Sequence, residues 1–180
     1  MKSLGFSLII LAAGALMGLN QPALAADMLT VTGNISVTNR RPYDPFFDAF
    51  FKHHDKTFKK AFAFDRAALE KLPQKTVNAN AEGWPQAIEA KGPSLKDVLD
   101  AAGVKPDALV TIMSLDGYAV EFTPSERQSH GWIVAIEVNG KGLGIGGRGP
   151  AWLMYDTGGK AINADKEGKW VWSAFSITAQ

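Results

Sequence analysis

Cysteine is absent from all 180 residues. That one absence removes disulfides, thiolate metal ligation and cysteine nucleophiles together, so stability has to come from packing and hydrogen bonds. Histidine is scarce, with three residues. An excess of one charge is missing too: 19 basic residues against 18 acidic give +1, a balance that points to neither nucleic acid nor an anionic membrane as partner. The chain has no G-x-S-x-G element, so the nucleophile elbow of serine hydrolases is excluded.

What is present begins with Lys2, an apolar stretch from Leu8 to Leu19 and the small-residue triplet Ala23-Leu24-Ala25 before Ala26-Asp27. That order is the signature of a secretory leader. The apolar stretch falls short of the roughly 20 residues a membrane helix needs, and no later segment comes closer. Cleavage after Ala25 is expected, which makes residues 1–25 a signal peptide, residues 26–180 a single domain and the periplasm the expected location. Loss of Lys2 with the leader would bring the basic count to 18, level with the 18 acids.

Alternating apolar residues over Met28 to Val37 predict an opening strand bent at Gly33. From Tyr43 to Phe64 phenylalanines mix with lysines, and the spacing of Phe47, Phe50, Phe51 and His54 fits one face of a short helix. Asp65 as N-cap and Pro73 as stop predict a two-turn helix between them. Ser94 with Asp97 forms a capping-box-like pair, and Leu95, Val98, Leu99 and Ala102 form its buried stripe. Gly103 suits the left-handed residue after that helix. Strands are expected over Ala108–Met113, Tyr118–Phe122, Trp132–Val138, Leu153–Tyr155 and Trp170–Ile177, with Asn139-Gly140 as a type I′ hairpin turn. Thr123 to Arg127 reads as a proline-initiated turn or one-turn helix with Glu126 and Arg127 solvated. Few helices and many strands make the class α+β, with mixed sheets and a few short helices.

Three patterns carry possible chemistry. His53-His54 lies near Asp44, Asp48 and Asp55, but the spacing lacks the i, i+4 pair of a helical metal site, so a solvated helix end is the expectation. Gly142 to Gly147 matches G-x-G-x-x-G in letters only. Pro150 and a strand pattern follow where the dinucleotide fingerprint needs a helix, so tight turns and close backbone approach explain the glycines better. His130, Ser129 and Asp116 do not compose a recognisable triad.

A longer order of blocks is more informative. Asn80-Ala81-Glu82-Gly83-Trp84, Gly92-Pro93-Ser94-Leu95-Lys96-Asp97-Val98-Leu99, Asp116-Gly117-Tyr118, Asn139 to Leu143, Arg148-Gly149-Pro150-Ala151-Trp152-Leu153-Met154-Tyr155 and Gly168-Lys169-Trp170 follow one another along the mature chain. This series resembles the molybdopterin-binding domain of the sulfite-oxidase superfamily. The resemblance implies a sulfite-oxidase-like fold. In catalytic relatives a cysteine thiolate before the E-G-W element ligates molybdenum, and Asn80 stands at that position here. A neutral amide does not replace a soft anionic ligand. The chain is therefore similar to the small cysteine-less periplasmic regulators of the superfamily, and that likeness implies a reduced pterin as ligand. It also implies a partner, the periplasmic domain of a membrane-bound cyclic-di-GMP enzyme. A molybdopterin-dependent oxidoreductase with its metal held only by the pterin dithiolene is the alternative, and a pure interaction module a third reading.

A pterin is a flat bicycle with a 2-amino-4-oxo edge, so its site needs an aromatic plate and an acceptor for the N–H groups. Trp84, Tyr118, Trp152 and Tyr155 are the candidate plates; Asp116, Asp156, Asn80 and Glu82 are the candidate partners of the edge. Arg148 faces an oxo group or a phosphate of the ligand, or else pairs with Asp156. Trp170 and Trp172, at alternate strand positions, are expected on one side filling the core, whereas Gly83 and Pro85 put Trp84 in a loop facing a cleft. The aromatics between Tyr43 and Phe62 either pack on the sheet or form a docking surface.

Overall fold

The computed structural model describes residues 26–180; the expected leader lies outside them. The first sheet has the strand order β2-β1-β12-β5-β6, built from β1 (Leu29–Gly33), β2 (Ala61–Phe64), β5 (Val110–Ser114), β6 (Ala119–Phe122) and β12 (Ala174–Ala179). Its centre is the parallel pair β1 and β12, and the other pairings are antiparallel. The second sheet runs β11-β3-β4-β8-β9, from β3 (Gln74–Ala81), β4 (Ile88–Pro93), β8 (Glu137–Val138), β9 (Lys141–Gly142) and β11 (Ala161–Ile162).

A two-stranded ribbon of β7 (Ile133–Ala135) and β10 (Trp152–Met154) joins the two sheets. Ser94 at the end of β4 bridges to Ile133, and Ala151 bridges to Ala174 at the start of β12. One core runs through both sheets and the ribbon, with Leu29, Phe64, Leu69, Leu95, Ile112, Phe122, Ile133, Leu153 and Ile177 almost fully buried. The class is α+β, one domain with several mixed sheets and short helices: α1 (Ala49–His53), α2 (Arg66–Lys71), α3 (Leu95–Ala101), α4 (Pro124–Ser129) and α5 (Ala164–Glu167). No helix among the described residues is long and apolar enough to cross a membrane.

Local signals explain the elements that match expectation. The Asp65 carboxylate accepts the Ala68 N–H at 2.7 Å and caps α2. The Ser94 hydroxyl caps α3 through the Asp97 N–H at 3.0 Å, and Gly103 follows at φ +68. Asn139 and Gly140 both take positive φ in the β8–β9 hairpin.

Other expectations are corrected. The first strand ends at Gly33, where φ is +87 and a Cβ would meet the Ala179 carbonyl oxygen at 2.0 Å. The region Trp132–Val138 is two strands, not one: Ile136 donates to Lys91 and accepts from Leu143, and the chain changes sheets around it. Phe51 is buried against Phe58 and Phe175, whereas Phe47 precedes α1 and is exposed, so they do not share a face. Strand β2 lies inside the Phe/Lys-rich stretch, and β3 and β4 occupy a region where no strand was expected.

Trp170 and Trp172 belong to no strand: β12 starts at Ala174, because Val171 accepts from Leu153 and Ser173 donates to Arg148. Trp170 is buried and Trp172 is 42% exposed, so they do not fill the core together. Glu126 and Arg127 are not simply solvated. Thr123 and Glu126 form a complete capping box on α4, and Arg127 donates to the carbonyls of Pro106 and Ala108. His54 is bonded at Nε2 to the Leu115 carbonyl, 3.0 Å away, while His53 is solvated at the end of α1.

The closest backbone approach in the β4–β7 region is at Gly92, where a Cβ would stand 2.0 Å from the Val134 carbonyl oxygen. Backbone on both sides leaves no side chain to yield. Gly92→Ala is expected to destabilise the fold by about 3 kcal/mol or more through overpacking, read as a lower urea midpoint; an unchanged midpoint would show that the sheet and ribbon do not meet this closely.

Candidate functional site

Four tryptophan and tyrosine rings from three segments meet near the ribbon. Trp84 lies 5.4 Å from Trp152 and 5.7 Å from Trp170, and Tyr155 lies 5.4 Å from Trp170. The contacts are tilted or edge-to-face, the geometries aromatic pairs favour. Over this cluster the Arg148 guanidinium sits 4.5 Å from the Trp152 ring centre and 5.6 Å from that of Trp84, within cation–π range. Among the described residues Arg148 makes no ion pair.

Beside the cluster opens a cavity of about 370 Å³ lined by Arg148, Trp152, Trp170, Trp172, Tyr118 and Asp116, and closed by α5 and Gly168. Its volume falls in the range of small-molecule sites. The turn between β5 and β6 positions two of these residues. Asp116 accepts from the Ser114 hydroxyl at 2.5 Å and from the Tyr118 N–H at 2.9 Å, both through Oδ1. The Ser114 hydroxyl first, then the Tyr118 N–H, hold the Asp116 carboxyl below its ordinary range, so it is an anion near neutral pH.

The α5 segment is fastened from three directions. The Trp84 indole donates to Glu167 Oε1 at 2.9 Å, the Tyr118 hydroxyl donates to the Gly168 carbonyl at 2.5 Å, and Lys169 reaches Glu126 at 3.0 Å. Asn163 caps this one-turn helix by accepting the Lys166 N–H. Two indole N–H groups in the wall, those of Trp152 and Trp170, are buried and have no hydrogen-bond partner. Such buried orphans cost about 1–3 kcal/mol each until an acceptor meets them.

Of the nine residues singled out from sequence, Asp116, Tyr118, Arg148 and Trp152 line the cavity, and Trp84 backs it. Trp84 is half-buried in its loop and braces the wall. Tyr155 is buried, stacked on His130 at 4.3 Å, and burial pushes its phenol pKa up. Asp156 caps its own loop by accepting from the Asn78 and Gly158 N–H groups, and it makes no ion pair with Arg148. Asn80 lies outside the cavity wall: β3 pairs there with β11, and the amide Nδ2 donates to the Gly159 carbonyl. Its Oδ1 is buried without a partner. Glu82 is exposed, and its backbone N–H is held by Ile162. Glu167, Gly168, Trp170 and Trp172 are wall residues that the sequence reading did not assign to the site. Asn163 as a cap before Ala164 and Gly168 as a stop would have pointed to the short helix carrying the first two.

The chain is similar in fold to part of a sulfane dehydrogenase. One similar structure is that of the sulfane dehydrogenase SoxCD from Paracoccus pantotrophus, at a TM-score of 0.56 and 16% identity, over 85% of this chain and 38% of the other. The likeness is one of fold, and the chain spans well under half of that protein's length. No protein-family model matches the chain, and no curated protein matches it. The sulfite-oxidase-like architecture implied by the residue blocks is thus present.

The residues do not fit a protein-held molybdenum. There is no thiolate, the Asn80 Nδ2 is occupied by Gly159, and the described residues contain no cluster of three metal-ligating side chains. An organic ring fits better, because the cavity presents aromatic faces, one anion and one cation.

Glu126 gives the site a pH signature. Its carboxyl falls to about 2, through the Thr123 N–H first, then Lys169 and the Thr123 hydroxyl. A lowered carboxylate pKa stabilises the fold above the ordinary value and loses that contribution as pH falls toward the folded value. Between about pH 4.5 and 2 the α4 cap and the Lys169 latch on the cavity wall are lost together. Glu126→Gln should therefore flatten the acid limb of the stability curve in that window; a variant with the wild-type acid limb would assign the latch no role.

Proposed function

We propose that this chain is a periplasmic protein that binds a reduced pterin without molybdenum catalysis and regulates a membrane-bound cyclic-di-GMP enzyme through that enzyme's periplasmic domain. The observation that carries the reading is the Arg148 guanidinium stacked on Trp152 and Trp84 in the same cavity as the Asp116 anion. A pterin needs both poles. Its 2-amino and N3 hydrogens are donors for a carboxylate, and a carboxylate takes two such N–H bonds in parallel. Its 4-oxo oxygen is an acceptor for a guanidinium, and the wall offers Arg148. Trp172 and Tyr118, both partly exposed at the cavity, supply faces on which a bicycle stacks.

The fold supports the reading through its kinship in shape with sulfane dehydrogenase, and the missing thiolate argues against the redox chemistry that name implies. The leader-like first 25 residues support export. Phe46 and Phe47, 82% and 71% exposed beside Arg41 and Lys52, support docking on a protein partner, since exposed aromatic clusters mark interfaces.

Anaerobic titration with tetrahydrobiopterin, followed by tryptophan fluorescence, tests the ligand. Saturable quenching is expected, with Trp172→Ala weakening affinity by about 1–3 kcal/mol, the usual loss for a stacked ring. Absence of saturable quenching in the wild type would overturn the proposal. The partner is tested separately: replacing Phe46 and Phe47 with serine should leave the melting temperature unchanged and abolish capture of the membrane enzyme. Undiminished capture would remove this patch from the interface.

A further inference from the structure

Strand β6 closes one end of the first sheet, with β5 on one side and no strand on the other. The bond from the Ser114 N–H to the Tyr118 carbonyl fixes the alternation of this antiparallel pair. Val120 and Phe122 therefore turn their peptide groups toward β5, and Ala119, Glu121 and Thr123 turn theirs outward. Thr123 spends its N–H on Glu126 at 2.9 Å. Among the described residues no hydrogen bond reaches the outward N–H or C=O of Ala119 or Glu121.

Along that edge runs an open groove of about 660 Å³, with Tyr118, Ala119, Val120 and Glu121 on one side and α5, Gly168 and Lys169 on the other. Consecutive strand residues share one wall only where the backbone itself is the surface, because their side chains alternate between faces. The groove's charge is one-sided. Its charged residues are Glu121, Glu126, Asp165 and Lys169. Lys169 is paired with Glu126 at 3.0 Å, whereas Glu121 and Asp165 are exposed and in no ion pair among the described residues.

An open sheet edge is a template for a further strand, whose main-chain bonds supply affinity while its alternate side chains supply selectivity. Unpaired carboxylates on both sides of the groove select cations on that strand. A second copy of this chain does not meet the need: β6 set against β6 would bring Glu121 and Asp165 of both copies around one short ladder, and like charges across a ladder repel. The outward groups of Ala119 and Glu121 match a segment of about three to five residues. We propose that the β6 edge is a docking site for an extended lysine- or arginine-bearing segment of another protein, added as a strand beside Ala119 and Glu121. This surface is separate from the exposed pair Phe46 and Phe47, and its use requires no ligand in the tryptophan cavity.

The test uses the peptide acetyl-Lys-Val-Lys-Val-Lys-amide as probe and nitrogen-15-labelled protein. Saturable amide shifts at Ala119 and Glu121 are expected, with Kd below about 1 mM. At saturation the hydrogen exchange of these two amides should slow about 10-fold or more, while that of Val120, already bonded to β5, stays as it was. The same peptide N-methylated at every residue keeps its charge and loses its main-chain donors, so it should bind about 10-fold more weakly or worse. The glutamate counterpart, acetyl-Glu-Val-Glu-Val-Glu-amide, should show no saturable binding. Glu121→Lys, a change at an exposed side chain, should weaken the lysine peptide about 5-fold or more. No saturable shift by about 5 mM, equal affinity for the methylated or the glutamate peptide, unchanged affinity of Glu121→Lys, or shifts confined to α1 with Phe46 and Phe47 would each overturn the proposal. None of these results depends on whether a pterin binds the tryptophan cavity or whether Phe46 and Phe47 meet a membrane enzyme.

Discussion

The stack of Arg148 on Trp152 and Trp84, backed by Trp170, is the contact on which the cavity depends. Each partner comes from a different part of the chain: Trp84 from the β3–β4 loop, Trp152 from the ribbon, Trp170 from the lead into β12, Arg148 from the segment after the glycine run. Rings of this size bury large areas and lock one another by edge-to-face contact. They also hold the one-turn helix α5 in place, because the Trp84 indole N–H ends on Glu167. That bond is one of three that fix the wall formed by α5 and Gly168.

The same assembly accounts for the division of labour within the fold. The two sheets supply a stiff frame, and their connections supply the polar groups, in keeping with the tendency of binding residues to sit on loops fixed by rigid elements. Asp116 is ionised through its own turn, by the Ser114 hydroxyl and the Tyr118 N–H, so no ligand is needed to hold its charge. Arg148 is oriented by ring faces, not by a carboxylate, which leaves its hydrogen-bonding edge available. A cation and an anion kept apart in one aromatic hollow suit a heterocycle with donors on one edge and an acceptor beside them.

Much of this was legible in the sequence where a residue type has a single local meaning. Asp65, Ser94 and Gly103 marked helix ends, Asn139-Gly140 marked a hairpin, and β5 and β6 carried enough β-branched and apolar residues to be seen. Strands β3 and β4 were not legible because their inward positions hold Ala79, Ala81, Ala90 and Gly92, residues too small to raise the hydrophobic pattern. That smallness has a cause, for Gly92 leaves no room for a side chain against Val134. Trp170 and Trp172 misled in the opposite way: their alternation imitates a strand, but backbone bonds from Leu153 and to Arg148 hold the chain off the sheet. For the site, aromatic type and the Asp116 turn picked out half the wall. Asn80 and Asp156 pointed elsewhere because their bonding to Gly159, Asn78 and Gly158 depends on pairings between distant segments.

Under the proposed reading the cavity takes an organic heterocycle, and no cysteine thiolate is there to ligate molybdenum. Mass spectrometry of small molecules released from protein purified from its native host, with elemental analysis of the same sample, addresses this most directly. A pterin near one equivalent with molybdenum at trace level is the predicted result; molybdenum near one equivalent would contradict it.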